Sequence, residues 1–561
     1  MASGGDGRGR RWLGLLVLPL GLTAAGCTVL VDKSTTQCDT TSDCAFLPGT
    51  SCVENVCVAG AAECSVNSDC IAKAGQYHIC RKSDHSCQPL QSPLCTTIEG
   101  DWANDNAVIL GSVGPTTGGD ALTGKTIENS IKLAIGDFTT AANGLPGVPP
   151  STARRPLVLV GCDDASDTDT AVEAATHLAG TVGVPALIGA AYSGITIGMA
   201  TDVTIPAGVL TISPSATSAA ITDLADNDLV WRTSPSDVLQ AAAVQGYVPL
   251  LETQVRTTLA LQPTDKVKLF VLNKGDAYGT GLAEALEPAL VLNGASALDP
   301  SNQGFYTRFD YGNPDDPQSN PTKYAEAVLA VLANEPHIVL VFGTTEGVTD
   351  VFTPVETQWL DLQPPPAYAP LWLFSDGGLV PDLWGAVGTD VALRRRVTGT
   401  VPGTTDPLFL AYRQKYSLRF PSDGTSPDVF GGAGAYDATY LLAYAAVSLG
   451  ATPVTGATLA AALRAGRLGS TTTTADPLSV GQTGINAAYQ KLVAGQSIDF
   501  AGASGPLDFD LATGEARSDI QIWCMPQDAG GNAQGGIGSG IYYSAASSSL
   551  VGTTYGAQCE F

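Results

Sequence analysis

From Ala107 onward the sequence alternates short apolar runs with segments of helical periodicity, and this alternation narrows the fold more than any other feature. The runs are AVILGSV (107–113), LVLVGC (157–162), PALIGA (185–190), VLTIS (209–213), VKLFVLN (267–273), HIVLVFG (337–343) and PLWLFSD (370–376). A strand with no polar side must be covered on both faces, which is the condition of a parallel sheet flanked by helices. The segment TIENSIKLAIGDF supplies one such helix, with Ile127, Ile131, Ala134, Ile135 and Phe138 on a single face. One sheet holding every run would be unusually wide, so the expected fold is α/β with two doubly wound parallel-sheet lobes, preceded by a small disulfide-rich N-terminal region.

The N-terminal region carries its own signals. Arg8, Arg10 and Arg11 precede an apolar stretch from Trp12 to Leu22, too short to span a bilayer, as in a secretory signal. The ending Ala24-Ala25-Gly26-Cys27 resembles a bacterial lipobox, which implies cleavage before Cys27 and lipidation of that cysteine. Residues 1–26 are therefore expected to be a lipoprotein signal peptide, and their removal takes the formal charge from −26 to −28.

Twelve of the thirteen cysteines then remain. Eight fall in two similar blocks, Cys38, Cys44, Cys52 and Cys57, then Cys64, Cys70, Cys80 and Cys87, each with an S-D-C step. Blocks so poor in apolar residues need disulfide staples, which form outside the cytoplasm. His78 and His85 raise the question of zinc, but no Cys-x-x-Cys knuckle occurs, and no metal is expected. Residues 27–100 are expected to form a duplicated Cys-rich stalk or interaction module.

Two clusters of small hydroxyl residues sit where apolar runs end. Ser193-Gly194 follows PALIGA and opens ITIGMATDV, while Ser215-Ala216-Thr217 follows VLTIS and precedes SAAITDLA. In a doubly wound sheet both junctions lie at the carboxyl ends of strands, where ligands bind. Free N–H groups at helix starts, with hydroxyl donors beside them, suit an anion such as a carboxylate. Each cluster could equally be an N-cap; two neighbouring ones favour a ligand.

Over about residues 106–520 the chain resembles the type I periplasmic binding proteins, specifically the branched-chain amino-acid (Leu/Ile/Val-type) receptors of ABC transporters. The likeness rests on GSVGPTTGGDALTGKTIENSIKLAIGDF, LVGCDDASDTDTAVEAATHLAG, LIGAAYSGITIGMA, TISPSATSAAITD, VWRTSPSD, KLFVLNKGDAYGTGLAEAL and GASGPLDFDLATGEA, in that order. It implies a binding domain over 101–561 whose lobes are joined by three hinge crossovers near Pro235, Ser375 and Ser504. Lobe 1 would hold about 105–235 and 376–504, and lobe 2 about 236–375 and 505–561.

By position, the resemblance implies that Ser193, Ala216 and Thr217 hold a ligand carboxylate. Tyr278 would form an aromatic wall and Asp376 would meet an ammonium group. Thr344, Thr345 and Glu346 would face the same cleft. Three departures stand out. Ser166 and Tyr192 occupy positions that many members join by a disulfide; the loop PTTGGDALTG lacks an aromatic residue; and Asp376 is one methylene shorter than the usual Glu. Cys524 and Cys559 are expected to pair near the C-terminus, which leaves Cys95 and Cys162 for each other.

Other classes fit less well. With 28 basic against 54 acidic residues, nucleic acid is not an expected partner. Ser193 lacks a G-x-S-x-G elbow, since Ala191 stands two before it, and no phosphate-binding glycine loop follows a strand. His177 and His337 read as structural, as do Asp163-Asp164 and the pair Asp508 and Asp510. The expectation is a non-enzymatic, cofactor-free protein, exported and lipid-anchored to a bacterial cell envelope. It would capture a small amino acid or carboxylate for ABC permease subunits; the alternative is a sensing or surface-interaction lipoprotein that keeps the fold.

Overall fold

A computed structural model describes residues 38, 41–44, 50–53, 56–59, 63–403, 407–471, 474–552, 554–556 and 559. The signal segment and Cys27 lie outside these residues. The chain divides into two units, Met1–Ala62 and Glu63–Phe561.

In the first unit, strands Thr50–Val53 and Val56–Ala59 pair antiparallel, after a short 3₁₀ turn at Thr41–Cys44. Disulfides Cys38–Cys52 and Cys44–Cys57 bind the turn segment to the hairpin. The second unit opens with the second cysteine block, where helix Asn67–Ala74 and the hairpin His78–Arg81/Ser86–Pro89 are clamped by Cys64–Cys80 and Cys70–Cys87. A stalk running to residue 100 is not what this block forms. Ile79, Leu90 and Cys95 are buried in one core with Val160, Cys162 and Leu178. Arg81 donates to the Gly180 carbonyl, and the His177 ring bonds the Leu90 carbonyl. The few apolar residues of the block are spent on this contact, so it is part of lobe 1.

The lobe 1 sheet runs in the order Phe509–Asp510, Glu515–Ala516, Val230–Arg232, Leu210–Ser213, Ala186–Ile188, Val108–Gly114, Leu157–Asp163, Thr97–Glu99. Its middle strands are parallel and its outer members, Thr97–Glu99 and Phe509–Asp510, antiparallel. Helix Ala121–Ala142 buries the predicted face, with Ile131 and Phe138 fully inside, against the buried helix Gly432–Ser448. The lobe 2 sheet runs Tyr306–Asp310, Leu269–Asn273, Ile338–Phe342, Leu371–Phe374, Val397–Pro402, Ile520–Cys524, Ile537–Ser544, Ser549–Val551. Its first five strands are parallel and the rest antiparallel. Disulfides Cys95–Cys162 and Cys524–Cys559 complete six among the described residues. Among the described residues no helix is long and apolar enough to cross a membrane.

The chain passes from lobe 1 to lobe 2 between Arg232 and helix Asp237–Thr258. Two crossovers differ from expectation. Strand Val397–Pro402 belongs to lobe 2, so the return lies after Pro402 and not at Ser375. Residues 505–516 remain on lobe 1, because Asp437 accepts bonds from the backbone of Ala503 and Ser504 while Arg232 pairs with Glu515. The last crossing is therefore at 517–519, not Ser504. Both shifts follow from strand pairing between segments far apart in sequence.

Candidate ligand-binding site

Strands of both sheets end at one cleft, and their following loops meet across it. Ser218 Oγ on lobe 1 donates to the Ala277 carbonyl on lobe 2 at 2.7 Å, and the Lys274 ammonium lies 4.9 Å over the Tyr192 ring. Between these contacts and the hinge sits a cavity. Lobe 1 lines it with Thr123, Ala191, Tyr192, Ser193, Ser215, Val429 and Phe430. Lobe 2 contributes Tyr278, Thr344, Asp376, Gly377, Leu379 and Val380.

Ser193 is the first residue of helix Ser193–Met199 and is 1% exposed. Its Oγ accepts the backbone N–H groups of Thr217 (3.2 Å) and Ser218 (3.1 Å). A hydroxyl has two acceptor lone pairs and one proton. Both lone pairs are engaged, and among the described residues no group accepts the proton. Ser193 can therefore act on a ligand in this cavity as a donor.

The second hydroxyl cluster behaves differently from the sequence expectation. No helix follows it; a three-residue 3₁₀ turn, Ala219–Ile221, stands there instead. The residues beyond are rich in Asp and Asn, and Asp226 takes the N–H groups of Asp228 and Val230, so side chains compete with the helix for backbone partners. Ala216 and Thr217 are buried and do not line the cavity; the Ala216 N–H is accepted by Ser213 Oγ at 2.9 Å. Ser215, a member of the same hydroxyl cluster, lines it instead, with its hydroxyl donating to the Ala191 carbonyl. Gly431, at φ +94°, turns the neighbouring loop so closely onto Ser215 that a Cβ there would lie 2.9 Å from the serine Cβ. That approach brings Val429 and Phe430 into the wall. The Gly-Gly step after VF was the sequence signal for them.

On lobe 2, Asp376 is 2% exposed. Its Oδ1 accepts from Tyr278 Oη at 2.5 Å and from Gln240 Nε2 at 2.8 Å. The same Gln240 nitrogen donates to Asp237 Oδ1 at 3.0 Å, and Gln240 Oε1 accepts from Thr400. Burial, then repulsion from Asp376, pushes the Asp237 carboxyl well up; burial pushes Asp376 up against the bonds from Tyr278 and Gln240. Gly377 permits this packing, since a Cβ would meet the Gly343 carbonyl oxygen at 2.6 Å and Tyr278 Oη at 3.0 Å. Tyr278 is thus both a wall of the cavity and the group that holds Asp376.

Thr344 lines the cavity, but Glu346 does not. Glu346 accepts from Thr344 N, Thr344 Oγ1 and Tyr311 Oη, in a buried group around Lys274. Burial favours its neutral form, yet the Lys274 charge and these bonds outweigh that and hold Glu346 low. Lys274 pairs with Asp315 and lies 3.5 Å from Asp276. Thr345 is also buried, outside the cavity lining. Ser166 and Tyr192, the positions without a disulfide, lie beside one carboxylate: Ser166 Oγ donates to Asp120 at 2.7 Å, and Asp120 raises the Tyr192 phenol after burial does.

His337, by contrast, is tied into lobe 2 at the start of strand Ile338–Phe342. His337 Nδ1 accepts from Lys268 N, the ring stacks on Tyr368, and burial with the Lys268 and Arg256 charges lowers it to about 4.

A family model described as periplasmic binding protein matches residues 107–489. Among solved structures, a leucine-binding protein from Thermotoga maritima is similar at 17% identity, covering 76% of this chain and 97% of its own, with a TM-score of 0.52. A branched-chain amino acid transporter substrate-binding protein from Streptococcus pneumoniae, solved with isoleucine, gives 17% identity, 77% and 98% coverage and a TM-score of 0.52. A solute-binding protein of an ABC transporter from Rhodopseudomonas palustris, solved with 3,4-dihydroxybenzoic acid, gives 17%, 78%, 98% and 0.52. At these identities the likeness is one of fold. No curated protein matches the chain.

Proposed function

Because the chain belongs to the periplasmic binding protein family, we propose that it captures a small carboxylate-bearing ligand, an amino acid foremost, in the cavity between its lobes. One observation carries the reading: a buried hydroxyl with an uncommitted proton, Ser193, and a buried carboxyl, Asp376, line the same interlobe cavity. A donor on one wall suits the ligand's carboxylate. The carboxyl on the other suits its ammonium, which would supply the charge that favours ionised Asp376 against burial. The isoleucine and the dihydroxybenzoate held by the two similar proteins share a carboxylate. No catalytic turnover is part of this reading.

The same proposal extends to cell context. Cys27 would carry the lipid anchor outside the cytoplasm, and the captured ligand would be passed to ABC permease subunits for uptake. A sensing or surface-interaction role is the second reading, favoured by the cysteine-stapled blocks ahead of the ligand-binding lobes.

Thermal melting of the full chain against L-amino acids and small carboxylates tests the ligand. A ligand bound at a hundred times its Kd should stabilise the fold by about 2.7 kcal/mol, and absence of any shift across both panels would count against capture. For the anchor, Cys27→Ala should move the protein from the membrane fraction to the soluble one.

A further inference from the structure

A second chamber lies at the hinge. The first two crossovers frame it through Ser234, Pro235, Pro402 and Gly403. Val401, Phe409 and Trp523 give it an apolar wall, and Leu379, Val429 and Phe430 line both it and the cleft cavity. These three side chains are the partition between the two spaces.

The polar groups around the hinge chamber are largely spoken for. Ser234 Oγ donates to the Ala216 carbonyl, Ser504 Oγ to Asp437, and Asp428 accepts from Arg413. Thr233 Oγ1 is directed to the Pro214 carbonyl, and Gln521 is the remaining polar side chain of the wall. A polar occupant would lose its water and find few partners here, whereas a hydrocarbon loses nothing by entering.

We propose that the hinge chamber receives the apolar tail of the ligand whose head group binds in the cleft, so that this receptor takes amphiphilic acids with extended hydrocarbon chains. The inference rests on the head-group reading given above. The head is fixed between Ser193 and Asp376, and the tail passes the Leu379–Val429–Phe430 partition to lie among the crossovers. A tail there touches both lobes and the segments joining them, so filling it favours the closed arrangement.

The test is calorimetric titration of the full chain with L-norvaline, L-norleucine, L-2-aminooctanoate and L-2-aminodecanoate. Affinity should climb along the series by up to about fourfold per methylene, as expected for burying a CH₂ group. Val401→Trp and Ala433→Leu, two independent ways of occupying the chamber, should flatten the climb while norvaline binds as in the native chain. Phe430→Ala should steepen it by opening the partition. Norvaline binding with no gain for longer tails, or a climb unchanged in both chamber-filling variants, overturns the tail proposal and leaves the head-group reading standing. If no member binds, both fall.

Discussion

The phenol of Tyr278 lies 2.5 Å from Asp376 Oδ1, although 98 residues separate them in sequence. Tyr278 Oη is also 2.7 Å from Ser375 Oγ and accepts the Gly377 N–H at 3.1 Å. One hydroxyl therefore fixes the loop after strand Leu371–Phe374 and aims its carboxyl at the cavity.

Tyr278→Phe keeps the ring and removes that hydroxyl. Asp376, which is buried, loses a donor and half-buried Gly377 an acceptor, at a cost of about 1–3 kcal/mol for a buried group left unpaired. Ligand affinity should fall by tenfold or more, about 1.4 kcal/mol per decade, while the circular dichroism spectrum stays native. Affinity equal to wild type would show that Asp376 does not depend on Tyr278.

Ser193→Ala removes the acceptor of two backbone N–H groups and the only donor proton argued for the carboxylate. We expect a melting temperature lowered by several degrees and loss of most ligand binding. Ser193→Thr restores the hydroxyl and should recover the stability. A stable alanine variant that binds normally would remove Ser193 from the site.

Asp164 is fully buried, and burial raises its carboxyl from the ordinary 3.8 to about 8, with the Ser166 N–H opposing in part and Asp163, Asp315 and Asp120 adding repulsion. The folded chain thus holds this proton more tightly than the unfolded chain. The stability so gained is complete below about pH 4 and is lost as pH rises from there through about 8. Asp164→Asn cannot titrate and retains the oxygen that accepts from Ser166. Its unfolding free energy, compared with wild type at pH 5 and pH 8, should improve relative to wild type at the higher pH. Parallel curves would refute the assignment.

The Cys95–Cys162 disulfide closes a separation of 67 residues and joins the segment after the second cysteine block to strand Leu157–Asp163 of lobe 1. On chain-entropy grounds its loss costs about 4 kcal/mol. Cys95→Ala with Cys162→Ala should lower the denaturant midpoint accordingly, whereas unchanged unfolding would mean that the packing of Ile79 and Leu90 alone holds the block in place.

Much of this was legible in the chain itself. Continuous apolar runs such as LVLVG, HIVLVFG and PLWLF specify two-sided burial without knowledge of their neighbours, and the periodic face of Ile127, Ile131 and Phe138 specifies a covering helix. These are local properties of side chains, so parallel α/β lobes and a cysteine-stapled N-terminus could be read directly. That Ser193 opens a helix in the loop after a strand could also be read, because the apolar run PALIGA ends just before it.

Tertiary structure decided what depends on pairing at a distance. Val397–Pro402 joined lobe 2 because of its strand partners, and Glu515 stayed on lobe 1 because of an ion pair with Arg232, 283 residues away. Ser215 replaced Ala216 and Thr217 at the cavity because hydrogen bonds to Ser213 and Ser193 turned the latter pair inward. Glu346 was drawn away by Lys274 and Tyr311, and Phe430 was pressed into the wall by a glycine turn. A sequence records which groups can form such bonds; only the folded chain determines which partner each one meets.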